Sequence, residues 1–304
     1  MNDKYKKQVE LLIKIMPSVH KIDEFAIHGG TAINLFHKNL PRASVDIDVT
    51  YLPIKDRESS LFEINTLLLE IKQSIEKTVA GINILPKLNV WKLLCYKDGE
   101  MVKIEVNGTK RGVIGPTVIK SLCKKAQQEF DMTCYARIVP FNQLYGGKIA
   151  AALSRQHPRD LFDYMLMDVA SFEEIKDGLM FCLLGSDKPI IESLNPALLD
   201  QHAVFENQFD GMSDFLFTYS HFEELRKDLI VKVNRMLTDE DKEFLISFEL
   251  GEPEWNKCCV GNLSNFPSVQ WKLQNIRILK DANPEKHKYG IEKLSSYLLH
   301  AKDL

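Results

Sequence analysis

The spacing of hydrophobic and polar residues divides the chain into two parts. Before residue 140, short runs of β-branched and apolar residues alternate with polar ones, a period of two that indicates half-buried strands. These runs lie at 24–28, 45–52, 89–96, 101–107 and 134–140. Helical spacing predicts helices at 5–17, from Thr31 onward and at 56–78. The turn-forming residues 97–100 between two of the strands are typical of a hairpin.

From Phe141 onward the spacing is helical only. Helices are predicted at about 141–155, from Pro158 to about 168, and at 171–184, 220–236, 238–249 and 284–302. Thr238 precedes three acidic residues and is expected to cap the start of its helix. The patterns predict an α/β (α+β) fold, with a sheet and flanking helices at 1–140 and a mainly helical domain at 141–304.

Composition adds charge and compartment to this picture. The 304 residues are 45% hydrophobic, which is enough for a sizeable core. Residues 1–160 contain 24 Lys and Arg against 17 Asp and Glu, so this half is basic (+7), the remainder is acidic (−10), and a polyanion is favoured on the N-terminal half. The six cysteines form no C-x-x-C pair and no stretch approaches the roughly 18 apolar residues of a membrane span, which predicts a cytoplasmic protein without a membrane partner.

A glycine pair follows the first predicted strand. Gly29 and Gly30 stand between that strand and the helix that Thr31 is expected to open. Glycines let a phosphate approach the free backbone N–H groups at a helix start, so the turn is a candidate nucleotide-phosphate site. By itself such a pair also fits an ordinary strand-to-helix turn.

Two aspartates lie two residues apart on the next predicted strand. Asp46 and Asp48 share one face of that strand, roughly 6 to 7 Å apart along it, while Ile47 faces the other way. Two carboxylates at this distance repel each other by roughly 2 to 3 kcal/mol at an effective dielectric constant of about 20, and a cation relieves the repulsion. Hard oxygen ligands select Mg²⁺ or Mn²⁺. The alternative for a D-x-D pattern alone is a solvated edge strand.

A third carboxylate is available on the strand at 101–107. Glu105 is flanked by apolar residues, and two-metal chemistry needs several flanking oxygens, so this acid is a candidate third metal ligand. Lys103 lies on the same face by the period of two. A surface ion pair between Lys103 and Glu105 is therefore the competing interpretation.

In this order, the glycine turn, the helix, the D-x-D strand and the later acid resemble the polymerase-β-type nucleotidyltransferase superfamily. Four longer segments spanning 27–276 carry a closer resemblance: GGTAINLFHKNLPRASVDIDV, LYGGKIAAALSRQHPRDLFDY, FLISFELGEPEW and FPSVQWKLQNI. They resemble the AbiE-type (AbiEii) nucleotidyltransferase toxins of bacterial abortive-infection and toxin–antitoxin systems. The resemblance implies a polymerase-β-like mixed sheet with flanking helices.

The resemblance also implies roles for individual residues. Gly29, Gly30 and Thr31 match the family's phosphate turn, and the paired aspartates match its metal ligands. Lys148 matches its triphosphate-binding lysine, and Asp160 matches an acid proposed to help activate the acceptor.

The spacing around Lys148 is consistent with these roles. Arg155 follows Lys148 by seven residues and shares its helix face, which makes it a second nucleotide-binding candidate. The small residues 146–147 and 150–152 are expected to allow close packing of this helix against the sheet. Asp163, four residues after Arg159, is interpreted as half of a helix ion pair.

Together these features imply a Mg²⁺-dependent (or Mn²⁺-dependent) toxin that transfers a nucleotide from an NTP to RNA, with the tRNA 3′ end as the candidate acceptor. The helical domain is expected to contribute Lys148 and Asp160 to the active-site cleft. A cognate antitoxin encoded nearby is expected as a partner. Two alternatives stay open: an antibiotic-modifying nucleotidyltransferase with a small-molecule acceptor, and a catalytically silent nucleotide- or partner-binding module.

Overall fold

The chain divides into two compact units. The computed structural model describes residues 2–167 and 173–300, with the backbone alone at residue 300. One unit comprises Met1–Pro140 and Phe209–Leu216, and the other comprises Phe141–Gln208 and Phe217–Leu304. The described strands all lie in the first unit, and the second unit is built from helices.

The first unit is organised around a mixed sheet, as the resemblance implied. Within the described residues the sheet has seven strands in the order β3-β4-β5-β2-β1-β7-β6. Their bounds are β1 Phe25–His28, β2 Asp46–Tyr51, β3 Asn83–Lys87, β4 Lys92–Lys97, β5 Glu100–Val106, β6 Val118–Ser121 and β7 Tyr135–Ile138. β2 pairs antiparallel with β1 and parallel with β5. It therefore lies between β1, which leads into the glycine turn, and β5, which contains Glu105.

The two faces of the central strand β2 differ in character. Ile47, Val49 and Tyr51 point to one face and are fully buried. Asp46 and Asp48 point to the other face and are half-buried. Helices α1 (Asp3–His20) and α3 (Arg57–Thr78) pack on the sheet and supply apolar side chains to its core. The alternation that predicts the strand therefore also separates the core from the polar face.

A distant segment completes the first unit. Residues 209–216 contact the N-terminal region through backbone hydrogen bonds: Asn2 N–H donates to the Gly211 carbonyl at 3.0 Å, and Ala43 N–H donates to the Met212 carbonyl at 2.8 Å. A β-bridge joins Arg42 to Ser213. Gly211 has a φ of +74°, a left-handed conformation that favours glycine.

Shorter helices complete the first unit. α2 (Gly29–Thr31) continues directly into a π-helix at Ala32–His37. α4 spans Lys124–Phe130.

The second unit is a set of packed helices. The described helices have the bounds α5 Phe141–Arg155, α6 Pro158–Met165, α7 Lys176–Leu184, α8 Ile190–Leu194, α9 His202–Gln208, α10 Tyr219–Met236, α11 Asp239–Glu249, α12 Pro267–Ala282 and α13 Pro284–His300. The Thr238 cap is confirmed, because its hydroxyl accepts the Asp241 N–H while the Asp241 carboxylate accepts the Thr238 N–H. In the part of the chain that the structure describes, no helix is both long and apolar enough to cross a bilayer.

Two glycines allow α5 and α7 to touch backbone to backbone. A Cβ on Gly146 would lie 2.3 Å from the backbone of Gly178, and a Cβ on Gly178 would lie 1.9 Å from the Asn142 carbonyl oxygen. The close packing expected of the small residues in this helix is present at Gly146. Gly146 packs against α7, because that helix also presents a glycine at the crossing point.

Several element boundaries differ from the sequence prediction. The helix after β1 begins at Gly29 rather than Thr31. The strand predicted at 89–96 begins at Lys92, because Leu88–Val90 forms a 3₁₀ turn and Trp91 is left-handed with a φ of 51°. No pattern in the sequence predicted β3, β6, α4, α8, α9 or α12. The predicted helical residues at 168, 171–172 and 301–302 lie outside the described part of the chain.

The α5–α7 contact gives a stability prediction. Gly178→Ala should destabilise the chain by about 3 kcal/mol, since the added methyl group collides with backbone that has no rotamer to change. Urea denaturation followed by circular dichroism measures the change. Gly147→Ala is the matched control on α5: its Cβ would meet only the Cys182 sulfur at 3.6 Å, so its stability should equal or exceed that of the parent. Equal stability of Gly178→Ala and the parent would contradict the backbone contact.

Candidate functional site

The face of the sheet opposite its apolar core is the open face, on which Asp46 and Asp48 are half-buried. The paired aspartates lie on this face beside the glycine turn. In the register of β1 and β2, Asp48 stands opposite His28, the residue just before Gly29. Asp46 precedes Asp48 by one strand period, so both carboxylates share this face. The sheet thus brings together two features that lie almost twenty residues apart in the sequence.

Gly29 makes room for the Asp48 carboxylate. Its φ is +71°, and a Cβ there would lie 2.7 Å from Oδ2 of Asp48. Any other residue would therefore be strained in its backbone and would collide with the acid. The turn and the carboxylate are therefore packed together, and the backbone of Gly29 faces Asp48.

The second glycine packs on a buried polar pair. A Cβ on Gly30 would lie 2.7 Å from Nη2 of Arg42 and 3.0 Å from Oγ of Ser44. Thr31, which is 1% exposed, donates its hydroxyl proton within a network formed by Ser44 Oγ and the Asp46 carbonyl. These contacts tie the turn to the strand of aspartates. The Thr31 side chain therefore positions the site, and only the backbone of the turn is available to a ligand.

Glu105 lies next to Asp48 but is held by two lysines. Asp48 and Glu105 are register partners on the parallel strands β2 and β5. The Glu105 carboxylate forms ion pairs with Lys103 at 2.7 Å and with Lys92 at 2.9 Å. Burial raises the pKa of Glu105, but the hydrogen bonds and charges of the two lysines outweigh burial and leave the pKa below its ordinary value. The ion pair that competed with the metal-ligand interpretation is present, and the metal-ligand role of Glu105 stays a prediction.

Lys103 lies beside the first of the two aspartates. It is the register partner of Asp46, and the neighbouring carboxylates, with Glu105 as its hydrogen-bond partner, outweigh burial and raise the pKa of Lys103. Sequence reasoning considered Lys103 only as a partner of Glu105. The register of parallel strands, which sequence does not supply, is what places it beside Asp46.

The residues on this face fit a hard divalent cation. Mg²⁺ in nucleotide sites is bound by one or two carboxylates together with water and substrate phosphates, and Asp46 with Asp48 provides such a pair. Within residues 2–167 and 173–300, no group of three or more His, Cys, Asp or Glu is arranged to hold a metal ion. On this face the candidate donors are the two aspartates, and further ligands of a nucleotide-bound cation would be phosphate oxygens and water.

The second unit contains a buried charge cluster on α5 and α6. The Lys148 ammonium lies 3.0 Å from Oδ1 of Asp160 and 2.8 Å from Oδ2 of Asp163. The side chains of Lys148 and Asp160 are 5% and 1% exposed. Arg155 donates to both oxygens of Asp160, at 2.6 Å and 2.9 Å. Two cations and two anions thus compensate one another inside the helical unit.

Local sequence explains why Asp160 occupies this place. Pro158 stands in the first turn of α6, where its missing N–H is not needed, and the preceding His157 caps the helix by accepting the Arg159 N–H. An acid in the first turn is favoured by the helix dipole. The break between the helices lets Asp160 face back toward Lys148 on α5.

The cations lower the pKa of Asp160. Burial alone would raise this pKa, but Lys148 and Arg155 outweigh burial and hold it well below the usual range. A group whose pKa is lower in the folded than in the unfolded state stabilises the fold above the unfolded pKa of about 4. This contribution is lost as the pH falls below that value.

Asp163, interpreted from the sequence as half of a helix ion pair with Arg159, lies in the interior of the helical unit. It is 1% exposed and forms an ion pair with Lys148. Asp160 and Asp163 are three residues apart and so share a helix face, a spacing that could have revealed the pair of acids facing Lys148.

Arg155 differs from the rest of the cluster, because its side chain is 62% exposed.

Comparison with known protein families decides what kind of protein carries these features. Residues 11–275 match the family model described as nucleotidyl transferase AbiEii toxin, Type IV TA system. The chain belongs to this family. It is therefore a nucleotidyltransferase toxin of a type IV toxin–antitoxin system, as the sequence resemblance implied.

The fold of this AbiEii toxin is similar to that of a solved nucleotidyltransferase toxin. MenT4 from Mycobacterium tuberculosis H37Rv aligns with a TM-score of 0.61 over 90% of this chain and 93% of that chain, at 11% sequence identity. The comparison with curated proteins finds no match. The two proteins therefore share a fold. At 11% identity the likeness shows the fold alone.

The charge cluster of the AbiEii toxin gives a second stability prediction. Lys148→Met should destabilise the chain by about 3 to 5 kcal/mol, because it removes the shared cation from two buried acids. Lys148→Met/Asp163→Asn should recover part of this loss. Urea denaturation at pH 7 measures both variants.

The matched control is Lys227→Met on the exposed surface of α10, which should stay within about 0.5 kcal/mol of the parent. If Lys148→Met were as stable as the parent, the buried ion pairs would make no net contribution.

Proposed function

We propose that this AbiEii toxin transfers a nucleotide from an NTP to the 3′ end of an RNA, with tRNA as the candidate acceptor, in a Mg²⁺-dependent reaction. The acceptor hydroxyl oxygen attacks the α-phosphorus, the bond to the β-phosphate breaks, and pyrophosphate leaves. The observation that carries the proposal is the pair Asp46 and Asp48 on the open face beside the Gly29-Gly30 turn.

The aspartates are proposed to hold the cation. Asp46 and Asp48 are half-buried, share one face of β2 and lie beside a glycine turn that is also half-buried. A divalent ion at this position would neutralise the triphosphate and stabilise charge that develops during transfer. The protein's contribution is to fix both carboxylates through the buried opposite face of the strand, so that little reorganisation is needed when the substrate binds.

The glycine turn is proposed to hold the phosphates. Gly29 and Gly30 present backbone rather than side chains next to Asp48, and the helix that starts there has no side-chain cap on its first N–H groups. Such N–H groups favour anions. Thr31 and Ser44 keep the turn in place through their buried hydroxyl contact.

The roles of the second unit toward the nucleotide stay predictions. Lys148 and Arg155 are candidates for triphosphate binding, and Asp160 is a candidate for activating the acceptor. Arg155 is the exposed cation of the cluster, with its guanidinium oriented by a two-point contact to Asp160. A planar guanidinium held in this way suits a phosphate group.

The partners follow from the family and the charge distribution. A toxin of a type IV system has a cognate antitoxin and uses an NTP as its substrate. The net charge of +7 in residues 1–160 supports a polyanionic acceptor such as RNA. A cytoplasmic location is proposed because RNA and NTPs are found there and because the six cysteines are free thiols.

The paired aspartates give an activity prediction. Asp46→Asn/Asp48→Asn should lower the transfer of label from α-³²P-NTP to total bacterial RNA at least about a hundredfold, because both carboxylates that would hold the cation are replaced by neutral amides. Chelation by EDTA should have the same effect on the parent, with recovery on adding Mg²⁺ or Mn²⁺. Asp98→Asn, in the exposed hairpin turn of the same unit, is the matched control and should retain parental activity.

The same assay separates the alternatives. Label on RNA supports the proposal, and sequencing of tRNA 3′ ends identifies the acceptor. Label on a small molecule with none on RNA would replace it with an antibiotic-modifying activity, and nucleotide binding without pyrophosphate release would indicate a silent module. Parental activity of the double variant would overturn the assignment of the two aspartates.

A further inference from the structure

The open face of the sheet continues from the aspartates to the sheet edge. Asp48 is the register partner of Glu105. Glu105 is in turn the partner of Lys92, and Lys92 is the partner of Lys87 on the edge strand β3. Directly paired residues point to the same side of a sheet, so these four side chains form one row. With neighbouring strands about 4.8 Å apart, Lys87 lies roughly 14 Å from Asp48.

Two apolar pairs lie beside the charged row on the same face. Leu85 pairs with Leu94, and Tyr96 pairs with Met101. Leu85, Tyr96 and Met101 are 43%, 39% and 37% exposed. Leu93, which precedes Leu94 on β4 and points to the opposite face, is fully buried. One face of these strands is therefore core, whereas the other leaves large apolar side chains in contact with solvent, as interaction surfaces do.

Strands β3 and β4 carry charge of one sign, and the acid on the next strand, Glu105, forms an ion pair with Lys92 at 2.9 Å. β3 and β4 contain no acidic residue, and they bring Lys87 and Lys92 to the open side. Lys87 is exposed and has no ion pair among the residues that the structure describes. Cations next to apolar and aromatic side chains, as Lys87 and Lys92 are here, can bind single-stranded nucleic acid, with phosphates on the cations and bases on the apolar side chains.

The direction of the charged row favours RNA over a protein partner. It leads from the sheet edge straight to Asp48, the position where an acceptor hydroxyl has to arrive. A protein docked on the apolar side chains would gain nothing from this alignment, whereas an RNA strand that enters along the lysines would present its terminal nucleotide to the carboxylates.

We propose that the β3–β4 face, defined by Leu85, Lys87, Lys92 and Tyr96, binds the single-stranded 3′ segment of the RNA acceptor. The proposal rests on the proposed function, because only a nucleotidyltransferase that acts on RNA needs such a surface. It adds the location and the chemistry of acceptor binding: phosphate contacts along the lysines, and base contacts on Tyr96 and Leu85.

The test measures RNA binding without NTP, so that it does not depend on transfer. The probe is a fluorescein-labelled single-stranded oligoribonucleotide of about 12 nucleotides, titrated with the full chain and followed by fluorescence anisotropy at several salt concentrations. Lys87→Ala should weaken binding several-fold and reduce the slope of log K against log salt by about 0.7, the value for one lost phosphate contact on a single strand. Tyr96→Ala should weaken binding at least about fivefold without changing that slope.

Two variants serve as controls. Lys77→Ala removes an exposed lysine from α3, which packs on the sheet rather than forming its open face, and it should bind the probe as the parent does. Tyr96→Phe keeps the ring and should retain parental affinity, which separates stacking from loss of the hydroxyl.

The outcomes separate this proposal from the proposed function. Parental RNA affinity of both Lys87→Ala and Tyr96→Ala would overturn it, as would an equal loss in Lys77→Ala. Unchanged RNA binding with a changed oligomeric state in size-exclusion chromatography would also overturn it and would make the face a contact between copies. If the Asp46→Asn/Asp48→Asn variant transfers normally while Lys87→Ala loses RNA binding, the catalytic assignment fails and the β3–β4 face stands.

Discussion

The register of β2 between β1 and β5 is the constraint on which the first unit depends. Ile47, Val49 and Tyr51 lie at 0% exposure on one face of this strand, so the strand cannot shift by one residue without moving all three into solvent and both aspartates into the core. The apolar side chains therefore fix where the acids point. A site made of two mutually repelling carboxylates is held in place by residues that take no part in its chemistry.

The helical unit solves a different problem, which is how to bury charge. Lys148 is surrounded by Asp160 and Asp163, and Arg155 completes the neutral cluster at the surface. The glycine contact between α5 and α7 brings these helices closer than side chains would allow. Arg155 alone in this cluster keeps a largely exposed side chain, and the buried ions serve to orient it.

Much of this arrangement could be predicted from sequence, and the parts that could not share a physical cause. Strand β2 and the Thr238 cap carry strong local signals, alternation in one case and a reciprocal hydrogen-bond pair in the other. β3 was missed because Pro86 and Asn83 weaken its strand pattern, which an edge position tolerates. α12 was missed even though its segment FPSVQWKLQNI carried part of the family resemblance, with a proline suited to its first turn.

The same limit applies to the candidate site. Gly29, Asp46 and Asp48 could be selected from sequence because turn and strand chemistry are local. The positions of Lys103 beside Asp46 and of Lys148 between two acids depend on parallel register and on helix packing, which no local pattern contains. Glu105 had two interpretations of comparable merit, since a carboxylate beside a lysine suits either an ion pair or a metal site.

The contact of residues 209–216 with the N-terminal region has a consequence for biosynthesis. Asn2, Arg42 and Ala43 find backbone partners in a segment that leaves the ribosome about 170 residues after Arg42 and Ala43. The first unit therefore cannot reach its final form when residue 140 has been made, and it must wait until α5 to α9 have been synthesised. Contacts so distant in sequence slow folding. A nascent chain released early would carry the aspartates without the segment that closes their unit, so premature termination yields an incomplete toxin.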